Sequence, residues 1–241
     1  MKFTYYLMAM LFLISTGISA QNSQGPVDSG MLQGPTYVPS IAQQLQDGTF
    51  KPAENDAIKL GHPKLKHGNV VVPGKGLPAE GSIDPLVQLQ NDANQWRMQP
   101  PILTFETTTS TATPSDPTGA VGPNHYLAAW NTSFRIFDKS GMPLTPAASL
   151  GTLFPGNAIG DPIVFYDAAA DRFVITEFDN SPNGFNVAVS QGPDPVTSGW
   201  HIYTTGFTTG SFPDYTKFSV WADTYMVTAN IGASNRVFAI E

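Results

Sequence analysis

The sequence predicts an all-β protein, and composition is the first observation behind this prediction. The chain has 241 residues, of which 13% are charged, with 22 glycines and 21 prolines. A typical soluble domain has about 25% charged residues, about 7% glycine and about 5% proline. Few charges and many turn-forming residues are typical of short strands joined by tight turns. The second observation is a pattern of short strands that recurs three times after residue 101.

Charge and cysteine content exclude several classes of function. The chain has 12 Lys and Arg against 19 Asp and Glu, which gives a formal net charge of -7. It therefore lacks the basic surface that binding to nucleic acid or to an anionic membrane requires. The sequence contains no cysteine, which excludes disulfides, thiolate zinc sites and a cysteine nucleophile.

Residues 1–20 have the pattern of a cleaved signal peptide. Lys2 provides a short positive start, and an apolar run of about 10 residues follows from Tyr5 to Ile14. A helix needs about 20 apolar residues to cross a bilayer, so the run predicts no membrane span. Small residues ending at Ala20 suit a cleavage site. We expect this segment to engage the export machinery and the protein to be secreted or held at the cell surface.

Residues 21–100 are predicted to be a weakly ordered connecting region, rich in proline and glycine. No part of it keeps a helical or alternating pattern for long. Two short elements are expected within it, a helix over residues 40–46 and a strand over residues 67–73. Neither is long enough to build a core.

Residues 101–241 contain a repeat of an Asp-led turn followed by short strands. The leading residues Asp116, Asp161 and Asp214 are 45 and then 53 positions apart. In each unit an aromatic residue opens the second strand, 10, 12 and 11 positions after the aspartate. A period of about 40–50 residues with several short strands is typical of β-propeller blades. We therefore predict propeller-like blades of short antiparallel strands.

The second unit has the strands of a complete blade, with residues 200–204 as its outer edge strand because apolar and polar residues alternate there. A closed propeller has about four to eight blades, whereas this repeat provides about two and a half. We therefore expect an incomplete propeller, the N-terminal fragment of a longer protein.

The repeated aspartates are the main candidates for a site. Asp116, Asp161 and Asp214 recur at equivalent places, so we expect them on one rim of the blades, while Asp167 and Asp171 flank a connection within the second unit. Aspartate in such turns caps backbone amides, and several converging carboxylates bind calcium. Turn capping is the favoured interpretation and contact with calcium or a ligand is the open alternative. No metal site and no cofactor other than calcium are predicted.

Motifs for catalysis are missing from the sequence. It contains no G-x-S-x-G, H-E-x-x-H, P-loop or G-x-G-x-x-G pattern. Arg135, Arg172 and Arg236 occur once per unit, which leaves a sialidase-like arrangement as an alternative. No catalytic residue is predicted, and the balance of the observations is against an enzyme.

Two segments carry a resemblance to known proteins. DPTGAVGPNHY at residues 116–126 and GDPIVFYDAAADRF at residues 160–173 resemble segments of large secreted Bacteroidetes-type proteins that are exported with a C-terminal type IX sorting domain. The resemblance implies a propeller-like, adhesin-like protein at the cell surface. The resulting hypothesis is a binding or structural module for glycans or cell-surface proteins. The alternative is a secreted glycan-cleaving enzyme, a propeller-type glycoside hydrolase or sialidase, whose active site lies largely outside this sequence.

Overall fold

The computed structural model describes residues 26, 28–53, 101–110, 112–156, 158–205, 209–232 and 234–241. The predicted signal peptide and the strand predicted over residues 67–73 lie outside these residues. The described part contains three antiparallel sheets, none of which closes on itself, and a short helix. The prediction of an all-β fold is therefore confirmed, while the propeller-like blades stay a prediction.

The elements follow in chain order as β1 (Leu32–Val38), α1 (Ile41–Asp47), β2 (Thr118–Val121), β3 (His125–Trp130), β4 (Ser133–Asp138), β5 (Ala148–Ser149), β6 (Ile163–Asp167), β7 (Arg172–Asn180), β8 (Asn183–Ser190), β9 (Trp200–Thr205), β10 (Pro213–Trp221), β11 (Thr224–Ile231) and β12 (Ser234–Ile240). The first sheet has the order β2-β3-β4-β5, the second β1-β9-β8-β7-β6 and the third β10-β11-β12.

The strands that open the three repeat units, β2, β6 and β10, lie beside one another. β2 contacts β6, and β6 contacts β10. The Val164 N–H of β6 donates a hydrogen bond to the Thr118 hydroxyl of β2 at 3.3 Å. The turns that lead into these strands are therefore brought near to each other, which decides where the three repeated aspartates lie.

A large apolar core joins the first sheet to the second. Phe134 and Ile136 of β4 pack in one cluster with Phe173 and Ile175 of β7, and all four are fully buried. Successive strand residues point to opposite faces of a sheet, so Val174 of β7 faces the other way, toward the third sheet. Residues 173–179 of β7 are all buried, and its apolar run from Phe173 to Ile175 supplies side chains to both clusters.

A second apolar cluster joins the second sheet to the third. Val174 and Phe185 pack with Val227 of β11, and the rings of Phe218 and Phe238 complete the contact. The Phe185 ring meets those of Phe218 and Phe238 edge to face, with centroids 5.6 and 5.7 Å apart. Aromatic pairs at such distances stabilise beyond the area that they bury.

The predicted short helix is confirmed as α1. The Ser40 hydroxyl accepts a hydrogen bond from the Gln43 N–H at 3.1 Å at its start. Gly48 ends the helix in the left-handed conformation, with φ of 71°, which glycine adopts without steric cost. Ile41 is fully buried in the core between the first two sheets, so packing stabilises a helix that is too short to be stable alone.

Residues 32–53 form a strand and a helix, so the prediction of a weakly ordered connecting region is wrong for this segment. β1 pairs with β9, so residues 200–204 do not form the outer edge that the sequence predicted. The register shifts between Gln33 and Thr36, and this irregularity accommodates Pro35, which has no N–H to donate. Gly and Pro suggested a loop here, but a sheet edge tolerates both residues at such a bulge.

The same segment also reaches the outer edge of the first sheet. The Ser149 N–H of β5 donates to the Lys51 carbonyl, and the Ala53 N–H donates to the Ala147 carbonyl, both at 2.9 Å. Residues 32–53 therefore connect the outer edges of the first and second sheets. No helix among the described residues has the length and apolar character needed to cross a membrane.

Candidate functional site

Asp116 and Asp161 lie in the connections that precede β2 and β6, whereas Asp214 lies within β10 and pairs with Asn230. The predicted Asp-led turn is therefore wrong for the third unit. Asp116 and Asp161 adopt left-handed backbone conformations, with φ of 36° and 49°, and each is followed by a proline. Aspartate tolerates this region better than most residues with a side chain. In the third unit the left-handed residue is Tyr215, with φ of 55°, directly after Asp214.

Asn131 joins the first two of these turns. It lies in the turn between β3 and β4 and is only 2% exposed. Its side-chain nitrogen donates to Asp116 Oδ2 at 2.6 Å and to Asp161 Oδ1 at 3.0 Å. Its side-chain oxygen accepts a hydrogen bond from the Asp161 N–H. One buried amide therefore holds together the entrances of the first and second sheets, and we call this arrangement the Asn131 bridge.

The electrostatics of Asp161 place the third aspartate nearby. Burial raises the pKa of Asp161, the hydrogen bond from Asn131 lowers it, and the charges of Asp116 and Asp214 raise it further. The net result is a raised pKa, because desolvation and like charges both disfavour the carboxylate. The Asn131 bridge thus brings Asp116 and Asp161 together, and the charge of Asp214 acts on Asp161 from the start of β10.

Asp167 and Asp171 lie at the opposite end of β6, about 15–20 Å away for a strand of this length. Asp167 accepts hydrogen bonds from the Ala169 and Ala170 N–H groups, both at 3.0 Å, and from the Tyr225 hydroxyl at 2.9 Å. Burial opposes its ionisation, but these hydrogen bonds outweigh burial and lower the pKa of Asp167. Asp171 accepts a hydrogen bond from the Tyr166 hydroxyl.

The five candidate aspartates thus form two separate groups, and the contacts of both are turn capping and bonds between elements. Among the described residues, no group of three or more His, Cys, Asp or Glu side chains is arranged to hold a metal ion. Calcium at the three-aspartate end stays a prediction.

Glu177 is a buried acid that the sequence interpretation missed. It is 2% exposed, and its Oε2 accepts a hydrogen bond from the Ile159 N–H at 3.0 Å. Asn186 donates to Oε1 at 3.4 Å. Burial raises the pKa of Glu177 well above its ordinary value, and the charge of Asp179 adds to the rise. The sequence signal was a glutamate between the apolar run Phe173–Ile175 and Phe178, in a strand predicted to be buried, where an acid is seldom found.

Asn131 was missed as well, and the residues around it give no comparable signal in the sequence. An Asn-Thr pair between two strands is an ordinary turn. Its importance arises because the turn meets residues 15 and 30 positions away along the chain.

A groove lies beside the Asn131 bridge, on the face of the first sheet that points away from the second. It has a volume of about 250 Å³ and includes Ser115 and Pro117, the neighbours of Asp116. Its other lining residues carry hydroxyl groups or aromatic rings with two alanines between them: Thr107, Thr108, Ser110, Thr118, Tyr126, Ala128, Ala129 and Trp130. We call it the Tyr126 groove. No sequence signal marked it, because residues 107–110 reach it from outside the repeat.

The three arginines of the sialidase-like alternative lie on different sheets. Arg135 is on β4, Arg172 on β7 and Arg236 on β12. The Arg135 side chain donates to the Thr145 carbonyl at 3.0 Å, so it is engaged by the connection between β4 and β5.

The resemblance drawn from residues 116–126 and 160–173 stays a prediction. Comparison of the chain with protein-family models, with curated protein sequences and with solved structures gave no match.

Proposed function

We propose that this protein is a secreted or cell-surface binding and structural module that acts without catalysis. The observation that carries the proposal is the Asn131 bridge, in which the carboxylates of Asp116 and Asp161 are used to hold two sheets together. Carboxylates engaged in this way position loops on a rigid scaffold, which is the usual arrangement at binding surfaces.

The alternative is a secreted glycan-cleaving enzyme, and Glu177 is the observation in its favour. Such enzymes commonly use two carboxyl groups, one of them a general acid with a raised pKa. However, both carboxyl oxygens of Glu177 are engaged within the protein, by Ile159 and by Asn186, and the side chain is almost completely buried. A sugar could not reach this acid without a rearrangement of the second sheet, so the binding module is the better supported function.

The test uses the full chain on a glycan array, with a reducing-sugar assay on the same polysaccharides. We expect retention on a subset of glycans and no release of reducing ends. Release of reducing ends that Glu177→Gln abolishes would establish the enzyme and overturn the proposal. Absence of any retention would overturn the glycan-binding form of the module.

A further inference from the structure

We infer that the Tyr126 groove binds a neutral sugar ring, an inference that rests on the proposed binding function and names its ligand. The groove lies between residues 107–110 and residues 115–118, with β3 supplying the rest of its lining. Its volume of about 250 Å³ is below the about 300–1,000 Å³ of pockets for drug-sized ligands. The space therefore suits one small ring.

The chemistry of the lining matches a sugar. The hydroxyl groups of Thr107 and Ser115 can donate and accept hydrogen bonds, as sugar hydroxyls require. The Thr108 hydroxyl donates to the Thr109 carbonyl and can still accept, and the Ser110 hydroxyl accepts from the Ala112 N–H and can still donate. None of the lining side chains is an acid or a base of Lys, Arg or His type, so the groove is built for a neutral ligand. The Thr118 hydroxyl is already engaged by the Val164 N–H and contributes structure instead.

Tyr126 provides the apolar surface on which a sugar ring packs. It is half-buried, and strand alternation places it on the same face of β3 as Ala128 and Trp130. The Phe105 ring meets it edge to face at 5.8 Å. A Cβ atom at position 119 would lie 2.5 Å from the Tyr126 hydroxyl oxygen, so Gly119 leaves the space in which the tyrosine lies.

A second cavity extends from the same tyrosine. It has a volume of about 230 Å³ and is lined by Leu103, Phe105, Val121, Tyr126, Asp138 and Lys139. Its two charged groups are engaged in the protein, since Lys139 donates to the Gly122 carbonyl and Asp138 accepts from Ser140 and Met142. Tyr126 therefore lies between two cavities, which suits a disaccharide that places one ring on each side.

The experiment is saturation-transfer NMR of the full chain with glucose, galactose, mannose, N-acetylglucosamine and their common disaccharides. We expect transfer to at least one sugar, and tighter binding of a disaccharide than of its monosaccharide. Tyr126→Leu should weaken binding by about tenfold, because the aromatic surface is lost. Thr107→Val keeps the shape but removes one hydroxyl, and should weaken binding by about threefold.

Tyr37→Leu is the matched control, because Tyr37 is an exposed tyrosine on β1, at the edge of the second sheet opposite to β6. It should leave sugar binding unchanged. Thr107→Val changes a single hydroxyl in a segment outside the sheets, so it tests the groove even if Tyr126→Leu does not fold. Circular dichroism of each variant establishes that the fold is kept.

Two results would overturn the groove assignment. One is no saturation transfer from the wild-type chain to any of the sugars. The other is equal transfer in the wild type and in folded Thr107→Val and Tyr126→Leu variants. Retention on the glycan array that survives both substitutions would overturn the groove and leave the proposed function intact. Release of reducing sugar would overturn the proposed function, while loss of binding in Tyr126→Leu would still support the groove.

Discussion

At the scale of single residues, two buried polar side chains decide how the ends of the sheets meet. Asn131 donates to two carboxylates and accepts from a backbone amide. Glu177 accepts from the Ile159 N–H, two positions before Asp161. A buried polar group that loses its partner costs about 1–3 kcal/mol, so both residues are sensitive points of the fold.

The Asn131 bridge predicts an asymmetric response to exchanging acid and amide. Asp161→Asn should change the free energy of unfolding by at most about 1 kcal/mol, because the asparagine oxygen accepts the same hydrogen bond. Asn131→Asp should lower it by about 1–3 kcal/mol, because the hydrogen bonds donated to Asp116, Asp161 and the Pro114 carbonyl are lost and a further carboxylate joins two others. Urea denaturation measures these changes.

The double variant tests whether the two residues interact directly. Combining Asn131→Asp with Asp161→Asn restores a donor opposite an acceptor, so it should recover part of the lost stability. Strict additivity of the two effects would contradict the bridge.

Calcium added to the wild type should leave the unfolding midpoint unchanged if the aspartates only cap turns. A clear rise in the midpoint that Asp161→Asn abolishes would establish the calcium alternative.

The raised pKa of Glu177 predicts a pH dependence. Because the folded state holds the proton more tightly, its contribution to stability is complete below the ordinary value of 4.5 and is lost as pH rises through the raised value. The pKa of Asp161 is also raised, so its contribution to stability is likewise lost as pH rises above the ordinary pKa of 3.8. Asp138, Asp167 and Asp194 have lowered pKa values, so their contribution is lost only as pH falls below 3.8.

Glu177→Gln should therefore stabilise the protein at neutral pH by about 1–3 kcal/mol, because glutamine removes a buried charge that the hydrogen bonds to Glu177 only partly compensate, and change little at pH 4.5. Glu106→Gln is the control, because Glu106 is exposed, and this substitution should leave the free energy of unfolding unchanged at both pH values. Unfolding curves at several pH values measure the difference. A Glu177→Gln variant that is less stable than wild type at neutral pH would contradict the assignment.

At the scale of elements, the segment from β1 to Ala53 is part of the sheets that it connects. β1 covers the edge of the second sheet, α1 inserts Ile41 into the core, and residues 51–53 reach β5 of the first sheet. The pattern of the sequence predicted α1 from the spacing of Ile41 and Leu45. It could not predict β1, because a bulged strand with glycine and proline has the composition of a loop.

Ile41 and Leu45 test whether the helix stabilises the fold. Ile41→Ala should lower the free energy of unfolding by about 2–5 kcal/mol, because it opens a cavity in the core. Leu45→Ala, on the same helix but 40% exposed, should cost less than about 1 kcal/mol. Denaturant unfolding of both variants measures the difference. Equal effects would mean that α1 does not pack as described.

At the scale of the whole molecule, the third sheet presents an exposed face. The pairing of β10, β11 and β12 places Lys217, Thr228 and Val237 side by side, on the face opposite the aromatic cluster. In the described part of the chain, β12 pairs with β11 alone. An apolar residue on such an edge strand favours association with another strand.

Val237→Lys should therefore raise the monomer fraction at high protein concentration, because a charged residue on an edge strand opposes pairing. Met142→Lys is the control, since Met142 lies in a turn and is 64% exposed against 65% for Val237. Light scattering after size-exclusion chromatography measures the monomer fraction. An equal gain from both substitutions would show that net charge, and not the edge strand, governs association.

The sequence alone determined the features that depend on neighbouring residues. Strand alternation, turn residues and the spacing of Asp116 and Asp161 are local or periodic, so the all-β fold and the place of these two aspartates before a strand followed from them. Only the tertiary structure decided the contacts between distant segments. The pairing of β1 with β9, the Asn131 bridge and the burial of Glu177 each join parts of the chain whose approach depends on which edge or face remains free once the sheets have packed.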